Sequence, residues 1–382
     1  MTNGLSCSVF CIRGGMKKGG YGKMKIGINT EDCVRVEDYI YFISRDYNVI
    51  FRLKIKTGEV YIVGSLPEEH MLECQLGAKI VYANGELIFA PMNAKKIWRY
   101  NINDKKWIGY EKKKVNGVET PRAMFQAVLY NNKIIFMGSN YPAIVILNLE
   151  TNVIEYIEEP YKRYIELFKK ENDCFFRTDS VQIGNELYWA SCLSNEVFRF
   201  NMDTYEYEFI IVGKSDYKYS GIDYDGKFFW LSPRKNTPAV RWDGVNDFSA
   251  INLPFVRKEN VATIGNVICK DESVIFASRF IEDSFVIKDK NNFSDVEAFR
   301  GQYWFNKKID SDTFVSLTMG KDICIETNDG KYEYELCVDY NLITSYIAEN
   351  MLNSKNDIEI PFKLGGYNEV NSVDLGVFLK LL

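Results

Sequence analysis

Arginine and aromatic side chains in the longer connections between apolar segments are the residues best suited to bind a ligand. Arginine binds carboxylates and phosphates through paired hydrogen bonds, and planar aromatic rings stack on guanidinium groups and on sugar rings. We therefore predict a ligand-binding set that consists of Arg45, Tyr47, Arg122, Asn140, Tyr141, Arg177, Arg234 and Arg279.

Several arginines brought together repel one another unless negative charge offsets them. An anionic ligand or an acidic protein segment is the interpretation that we favour. Internal pairing with Asp46, Glu68 or Glu282 is the alternative, and the sequence alone does not separate the two.

Common catalytic and cofactor motifs are absent from the sequence. It contains no G-x-S-x-G, no H-E-x-x-H, no P-loop and no G-x-G-x-x-G after a strand. His70 is the only histidine, so a Ser-His-Asp or Cys-His arrangement would depend on that one residue. Paired carboxylates for glycoside chemistry stay open, because 52 acidic residues offer many pairs.

Cysteine usage favours neither a metal site nor a disulfide framework. The chain has nine cysteines, mostly single ones in or beside apolar segments, as expected for reduced core residues in the cytoplasm. Cys7 and Cys11 form the only close pair, and a zinc site would need further ligands that one histidine does not supply. We predict no metal and no cofactor.

The elements that would position these residues are most regular in residues 181–212, VQIGNELYWASCLSNEVFRFNMDTYEYEFIIV. Short apolar and aromatic segments alternate there with the turn signals Gly184-Asn185 and Asp203-Thr204, which predicts four antiparallel strands. Such a unit cannot bury both of its faces alone, so it must stack on similar units.

The same pattern recurs along the chain with a period of about 46 residues. Seven copies cover residues 33–63, 77–110, 125–157, 181–212, 220–253, 266–299 and 302–338. This predicts an all-β fold, one closed β-propeller of about seven four-stranded blades. Six blades are the alternative, with the weak last copy in a separate cap.

The third strands of four copies carry an arginine in matching register: Arg52, Arg99, Arg199 and Arg241. A repeated charge is usually structural, so we expect ion pairs on the outer surface or between blades. The longer connections, residues 64–76, 111–122, 158–177 and 254–261, all fall on one face together with the loops between second and third strands. We call this the long-loop face, and we expect the ligand there.

The propeller would span residues 33–340, after an N-terminal extension, 1–32, that is partly disordered and contains an additional strand. Residues 341–382 would form a helix and a tail that pack on the propeller, and a short helix is expected within residues 160–173. The net charge is −5 with both signs interspersed, which argues against nucleic acid. No apolar run approaches a membrane span, so we predict a cytoplasmic monomer.

The segments ELIFAPMNAKKIWRYNINDKKW and ELYWASCLSNEVFRFNMDTYEYEF resemble kelch repeats. The double glycine usual in kelch repeats is replaced at positions 90–91, 138–139, 191–192 and 232–233. The resemblance implies the fold over about residues 33–339. Families of this kind include interaction scaffolds, sugar-acid epimerases and oxidases. The oxidases' copper ligands have no match here, since only His70 could serve.

We therefore predict a non-catalytic binding or scaffold protein. Its ligand would be an anionic small molecule, a glycan or an acidic protein segment on the long-loop face. The alternative is a carbohydrate-active enzyme, namely a sugar-acid epimerase, lyase or hydrolase with carboxylate and tyrosine chemistry in the channel mouth. That enzyme would need a positioned acid and base in a pocket.

Overall fold

Seven four-stranded antiparallel sheets make up most of the chain. The structure is a computed structural model that describes residues 24–115, 123–165, 174–177, 179–234, 237–254, 264–279 and 283–353. Each sheet pairs its strands in sequence order. Each sheet is therefore one blade of a propeller, whose first strand is innermost.

The strands before and within the first four blades have the following bounds. The leading strand is β1 (Lys25–Gly27), and blade 1 contains β2 (Val34–Val36), β3 (Tyr39–Ile43), β4 (Ile50–Lys54) and β5 (Val60–Gly64). Blade 2 contains β6 (Gly77–Ala83), β7 (Glu86–Pro91), β8 (Lys96–Asn101) and β9 (Lys106–Glu111). Blade 3 contains β10 (Met124–Tyr130), β11 (Lys133–Gly138), β12 (Ile144–Asn148) and β13 (Ile154–Ile157). Blade 4 contains β14 (Val181–Ile183), β15 (Glu186–Ala190), β16 (Glu196–Asn201) and β17 (Tyr207–Ile211).

Three further blades complete the ring. Blade 5 contains β18 (Tyr219–Tyr224), β19 (Phe229–Pro233), β20 (Ala239–Trp242) and β21 (Phe248–Ile251). Blade 6 contains β22 (Ile264–Lys270), β23 (Ser273–Ser278), β24 (Asp283–Ile287) and β25 (Val296–Arg300). Blade 7 contains β26 (Tyr303–Lys308), β27 (Phe314–Thr318), β28 (Asp322–Thr327) and β29 (Gly330–Glu335), and a last strand, β30 (Cys337–Asp339), follows it.

Each of the seven predicted copies corresponds to one sheet, so the seven-bladed prediction is confirmed and the six-bladed alternative is wrong. The tight turns explain why the pattern was readable. Asn84 and Gly85, for example, both have positive φ, 51° and 80°, as a two-residue hairpin turn requires.

The ring closes through a pairing between the first and the last strand of the described residues. β1 pairs antiparallel with β30, with Ile26 opposite Val338, which confirms the additional strand expected near the N-terminus. The helix Tyr340–Asn353 follows directly, and its Ile343 and Ile347 pack into the buried cluster between blades 7 and 1.

The expected helix within residues 160–173 is represented by a 3-10 turn at Glu159–Tyr161 that continues into a helical turn over 162–165. The rest of that stretch, the tail 357–382 and the Cys7/Cys11 pair lie outside the described residues. In the part of the chain that is described, no helix is long and apolar enough to cross a membrane.

Apolar residues from neighbouring blades form the core. One buried cluster joins blades 3 and 4. Blade 3 contributes Ile135 and Met137 to it, and blade 4 contributes Trp189 and Phe198. Burying such large side chains between sheets is the main favourable term for a stacked β-fold.

Two of the four third-strand arginines contact a neighbouring blade, whereas Arg52 stacks on Tyr39 and Tyr61, and Arg199 pairs with Glu186 and Glu208, all within their own blades. Arg99 pairs with Glu86 in its own blade and donates to Asn152 of blade 3 at 2.6 Å. Arg241 of blade 5 lies 3.9 Å from the centre of the Phe293 ring, in the β24–β25 connection of blade 6.

Candidate functional site

A partly enclosed cavity of about 60 Å³ lies where the blades converge. Its walls come from the segments that precede blades 1 and 4 and from the innermost strands of blades 2, 5, 6 and 7. Because these elements are distant in sequence and meet only around the ring axis, the cavity occupies the channel at its long-loop end.

Local backbone geometry brings consecutive residues into the cavity wall. The innermost strands β6, β10, β18, β22 and β26 each carry a register shift near their start. A β-bulge interrupts the strict alternation of side chains between the two faces of a strand. In β6, both Ala78 and Lys79 therefore line the cavity, and in β22 both Gly265 and Asn266 do.

Glu31 is the acidic centre of an arginine cluster. Its side chain is buried, with 6% of its surface exposed, and its Oε1 lies 2.7 Å from Nε of Arg45. Nη2 of Arg279 lies 3.0 Å from both carboxylate oxygens. Both guanidinium groups also stack on Trp304, with their Cζ atoms 4.4 Å and 4.6 Å from its ring centre.

Charge and burial oppose each other at Glu31. Burial raises the pKa of the carboxyl group, but attraction to Arg279 and Arg45 outweighs it, and the net effect is a lowered pKa. Burial also lowers the pKa of Arg279, and Arg45 and Arg177 act in the same direction against the attraction of Glu31. Glu31 is therefore an ionised partner of arginines, not a proton donor.

Asp32 is the acidic centre of an adjacent lysine cluster. Its Oδ1 accepts a hydrogen bond from Nζ of Lys307 and lies 3.6 Å from Nζ of Lys79. Its Oδ2 accepts from the backbone N–H of Ile80 at 2.9 Å. Burial lowers the pKa of Lys79. At Lys307 burial acts in the same direction, but attraction to Asp32 together with smaller effects of other neighbours outweighs it, and the net effect is a raised pKa.

Arg177 and Asp179 complete the charged lining from the segment before blade 4. Asp179 packs so closely on Gly221 that a Cβ atom at this glycine would lie 2.3 Å from its Oδ2. Nε of Arg177 is buried and has no hydrogen-bond partner among the described residues. Arg177 is thus a half-buried cation on the cavity wall, and its Nε–H is a hydrogen-bond donor that no described residue uses.

Three of the predicted ligand-binding residues meet at this place, namely Arg45, Arg177 and Arg279. The acidic residue that pairs with Arg45 and Arg279 is Glu31, and not Asp46 or Glu68, which the sequence suggested. Asp46 accepts a hydrogen bond from the Asn29 side chain at 2.8 Å, and Glu68 pairs with Lys96 at 2.6 Å. Glu282 lies outside the described residues.

Four other predicted residues are not part of the cavity wall. Tyr47 packs on Phe51 with ring centres 6.2 Å apart. Tyr141 is 1% exposed, and its hydroxyl donates to the backbone oxygen of Lys113 at 2.6 Å. Oδ1 of Asn140 accepts from the N–H of Ala123 at 2.7 Å.

Arg234, the fourth, is 4% exposed and is not part of the cavity wall. Arg122 lies outside the described residues.

The sequence reasoning missed Glu31, Asp32, Lys79, Lys307 and Trp304. Glu31 and Asp32 fall in the segment that was assigned to an N-terminal extension, although they form the acidic centres of the site. A usable signal was present for Lys79 and Lys307 alone: a charged residue in an innermost strand, which lies between neighbouring blades, needs either a buried partner or the channel.

Other chemistry is sparse in the part of the chain that the structure describes. His70 lies on an exposed loop, where its Nδ1 accepts the N–H of Leu72 at 3.2 Å. No group of three or more histidine, cysteine, aspartate or glutamate side chains there is arranged to hold a metal ion.

No family model matches the sequence, and no curated protein matches it. Solved structures do match its fold. Virginiamycin B lyase from Staphylococcus aureus, crystallised in an inactive form with quinupristin, is 12% identical, with 82% of this chain and 98% of that chain covered and a TM-score of 0.57. The WD40 repeats of RRP9 are 10% identical over 78% and 94% of the two chains, with a TM-score of 0.54. BamB from Moraxella catarrhalis is 11% identical over 78% and 85%, with a TM-score of 0.51.

Identities this low show the β-propeller fold alone. The fold-level part of the predicted resemblance is thus confirmed, and its kelch-like part stays a prediction.

Proposed function

We propose that this propeller is a binding protein whose ligand is a small anion held in the channel cavity. The observation that carries the proposal is the charge of the cavity wall. Among the described residues, four cations line it, Lys79, Arg177, Arg279 and Lys307, against three carboxylates. Arg45, which contacts Glu31 and Trp304 of the wall, adds a fifth positive charge.

An excess of two positive charges in a partly buried site is electrostatically unfavourable without a counter-charge. The wall carboxylates Glu31 and Asp32 already have cationic partners, so an anion would compensate the remaining charge. Arginine and lysine at close quarters are the side chains that bind carboxylates and phosphates in proteins.

The cavity size favours a small molecule over a glycan or a folded acidic segment. The cavity has a volume of about 60 Å³, which is small for a ligand site. A peptide could present no more than a single side chain or a terminal carboxylate to this cavity. A chain that binds nearby would therefore use the surrounding long-loop face.

A carbohydrate-active enzyme is the competing function. That chemistry needs a carboxyl group that stays protonated as an acid beside an ionised one. Glu31 has a lowered pKa instead, and none of the described tyrosines belongs to the cavity wall. These features support binding without catalysis.

We also propose that the protein is a cytoplasmic monomer. Seven cysteines lie in the described residues as free thiols, several of them buried, which fits a reducing compartment.

Calorimetry with inorganic phosphate, acetate and the cation choline tests the proposal. We expect phosphate or acetate to bind and choline not to bind. Arg177→Ala should weaken anion binding at least tenfold, because the variant removes one cation from the wall. The matched control is Lys288→Ala, which removes an exposed lysine that pairs with Glu297 on an outer strand and should change nothing.

Binding of neither anion, or equal weakening by Arg177→Ala and Lys288→Ala, would overturn the proposal. Turnover of a sugar-acid panel by the wild-type protein would instead favour the enzyme.

A further inference from the structure

The cavity wall contains buried polar atoms that have no hydrogen-bond partner among the described residues, and three of them carry this inference. They are Nε of Arg177, Nε1 of Trp304 and Oδ1 of Asn306. Asn306 is 5% exposed, so bulk water does not satisfy its oxygen. Buried polar groups in folded proteins are nearly always paired, and each exception calls for an explanation.

The three atoms differ in what they need. The guanidinium Nε of Arg177 and the indole Nε1 of Trp304 are donors only, and the amide oxygen of Asn306 is an acceptor only. A matching ligand must therefore accept hydrogen bonds at one part and donate one at another. A bare carboxylate or sulfate supplies acceptors but no donor.

The backbone at Asn306 is tied to a neighbouring blade. Its carbonyl oxygen accepts a hydrogen bond from Nδ2 of Asn266, the residue after the bulge of the neighbouring innermost strand, at 2.6 Å. The adjacent residue Lys307 is bound to Asp32. Asn306 thus lies in sequence between Trp304, which contacts the arginine cluster, and Lys307 of the lysine cluster.

The cavity volume sets the size of the ligand. The cavity volume of about 60 Å³ favours a ligand of few non-hydrogen atoms. Glycolate and lactate, with five and six such atoms, are of this size. Both combine a carboxylate with a hydroxyl group on the neighbouring carbon.

We propose that the ligand is a small α-hydroxy carboxylate. This inference rests on the anion-binding function proposed above. The carboxylate accepts hydrogen bonds from Arg177 and Trp304, and the hydroxyl donates to Oδ1 of Asn306. Such an arrangement gives a partner to each of the three atoms and offsets one positive charge.

Comparison of lactate with propionate tests the inference, since the two differ only by the hydroxyl group. A site built to hydrogen-bond a hydroxyl rejects the analogue that lacks it, because its polar group is then left unpaired. We expect lactate to bind the wild-type protein at least tenfold more tightly than propionate in calorimetry. Asn306→Leu should abolish that preference with little change in propionate affinity.

The matched control is Asn291→Leu, an exposed asparagine in the β24–β25 connection, which should keep the wild-type preference. The ratio of lactate to propionate affinity is measured on the wild-type protein, so this test holds even if a variant fails to fold. Equal binding of lactate and propionate overturns the inference and leaves anion binding standing. If lactate, propionate and phosphate all fail to bind, both proposals are overturned.

Discussion

Nη2 of Arg279 lies 3.0 Å from each carboxylate oxygen of Glu31, although 248 residues separate the two in sequence. Arg279 follows the second strand of blade 6, and Glu31 lies between β1 and blade 1. Their contact therefore joins the two sides of the ring close to where β1 and β30 close it. One carboxylate serves both the closure of the propeller and the electrostatics of its cavity.

Glu31→Gln should destabilise the protein and increase its response to anions. Removal of one partner of a buried ion pair typically costs about 3–5 kcal/mol, because the remaining charge is left uncompensated. We expect a lower melting temperature, and a larger rise in that temperature on addition of phosphate than in the wild type. Glu333→Gln, at an exposed pair with Lys331, should change neither quantity.

Unchanged stability of Glu31→Gln would show that the arginine cluster does not depend on this carboxylate.

Arg177 and Arg234 should differ in what their removal does. Arg234 is 4% exposed, so Arg234→Ala leaves a space and unpaired groups in the interior and should lower the melting temperature clearly. Arg177 is half-buried and its Nε has no partner among the described residues, so Arg177→Ala should leave the melting temperature nearly unchanged. Differential scanning fluorimetry of the two single variants decides this. The opposite order would mean that Arg177 is structural.

The repeat made the fold predictable because each blade carries its own local signals. Turn pairs such as Asn84-Gly85 require positive φ, and the short apolar and aromatic runs between such turns mark the strands. These signals act over a few residues and can be recognised in a single sequence. Ring closure through Ile26 and Val338 is a long-range pairing, and only the expectation of an additional strand anticipated it.

The site was less predictable because it depends on contacts across the ring. The sequence placed Arg45, Arg177 and Arg279 on the expected face, and they do converge. Nothing local marked Tyr141 as buried or Glu31 as the partner of two arginines. Loop position indicates where a side chain starts, but burial and pairing depend on neighbours from other blades.

Gly221→Ala should disturb the position of Asp179 at the cavity. The added Cβ would lie 2.3 Å from Oδ2 of Asp179, far inside van der Waals contact, so one of the two must move. Insertion of a methyl group into a packed interior typically costs about 1–3 kcal/mol. Gly64→Ala is the matched control, because its Cβ would meet no atom within 4 Å. Urea unfolding of both variants measures the difference, and equal stability would show that Asp179 moves without cost.

Asp223 should make stability depend on pH between about 4 and 7. Burial raises the pKa of this carboxyl group from 3.8 to about 6, against the backbone N–H groups of Cys269 and Tyr224 that donate to it at 2.6 Å and 2.8 Å. Because the folded pKa lies above the unfolded one, the contribution to stability is complete below pH 3.8 and is lost as the pH rises through about 6. At about 1.4 kcal/mol per pH unit, the loss is on the order of 3 kcal/mol.

Asp223→Asn removes this titration. Urea unfolding measures the stability of each protein at pH 4 and at pH 7.5, and the decrease between the two pH values should be smaller in the variant than in the wild type by about 3 kcal/mol. The comparison uses the difference between the two pH values, because the amide side chain of the variant keeps only one of the two acceptor oxygens and lowers stability at both. Asp247→Asn, at an exposed turn, serves as the control and should follow the wild-type profile. Parallel pH profiles for Asp223→Asn and the wild type would mean that Asp223 ionises in the folded protein as readily as in the unfolded chain.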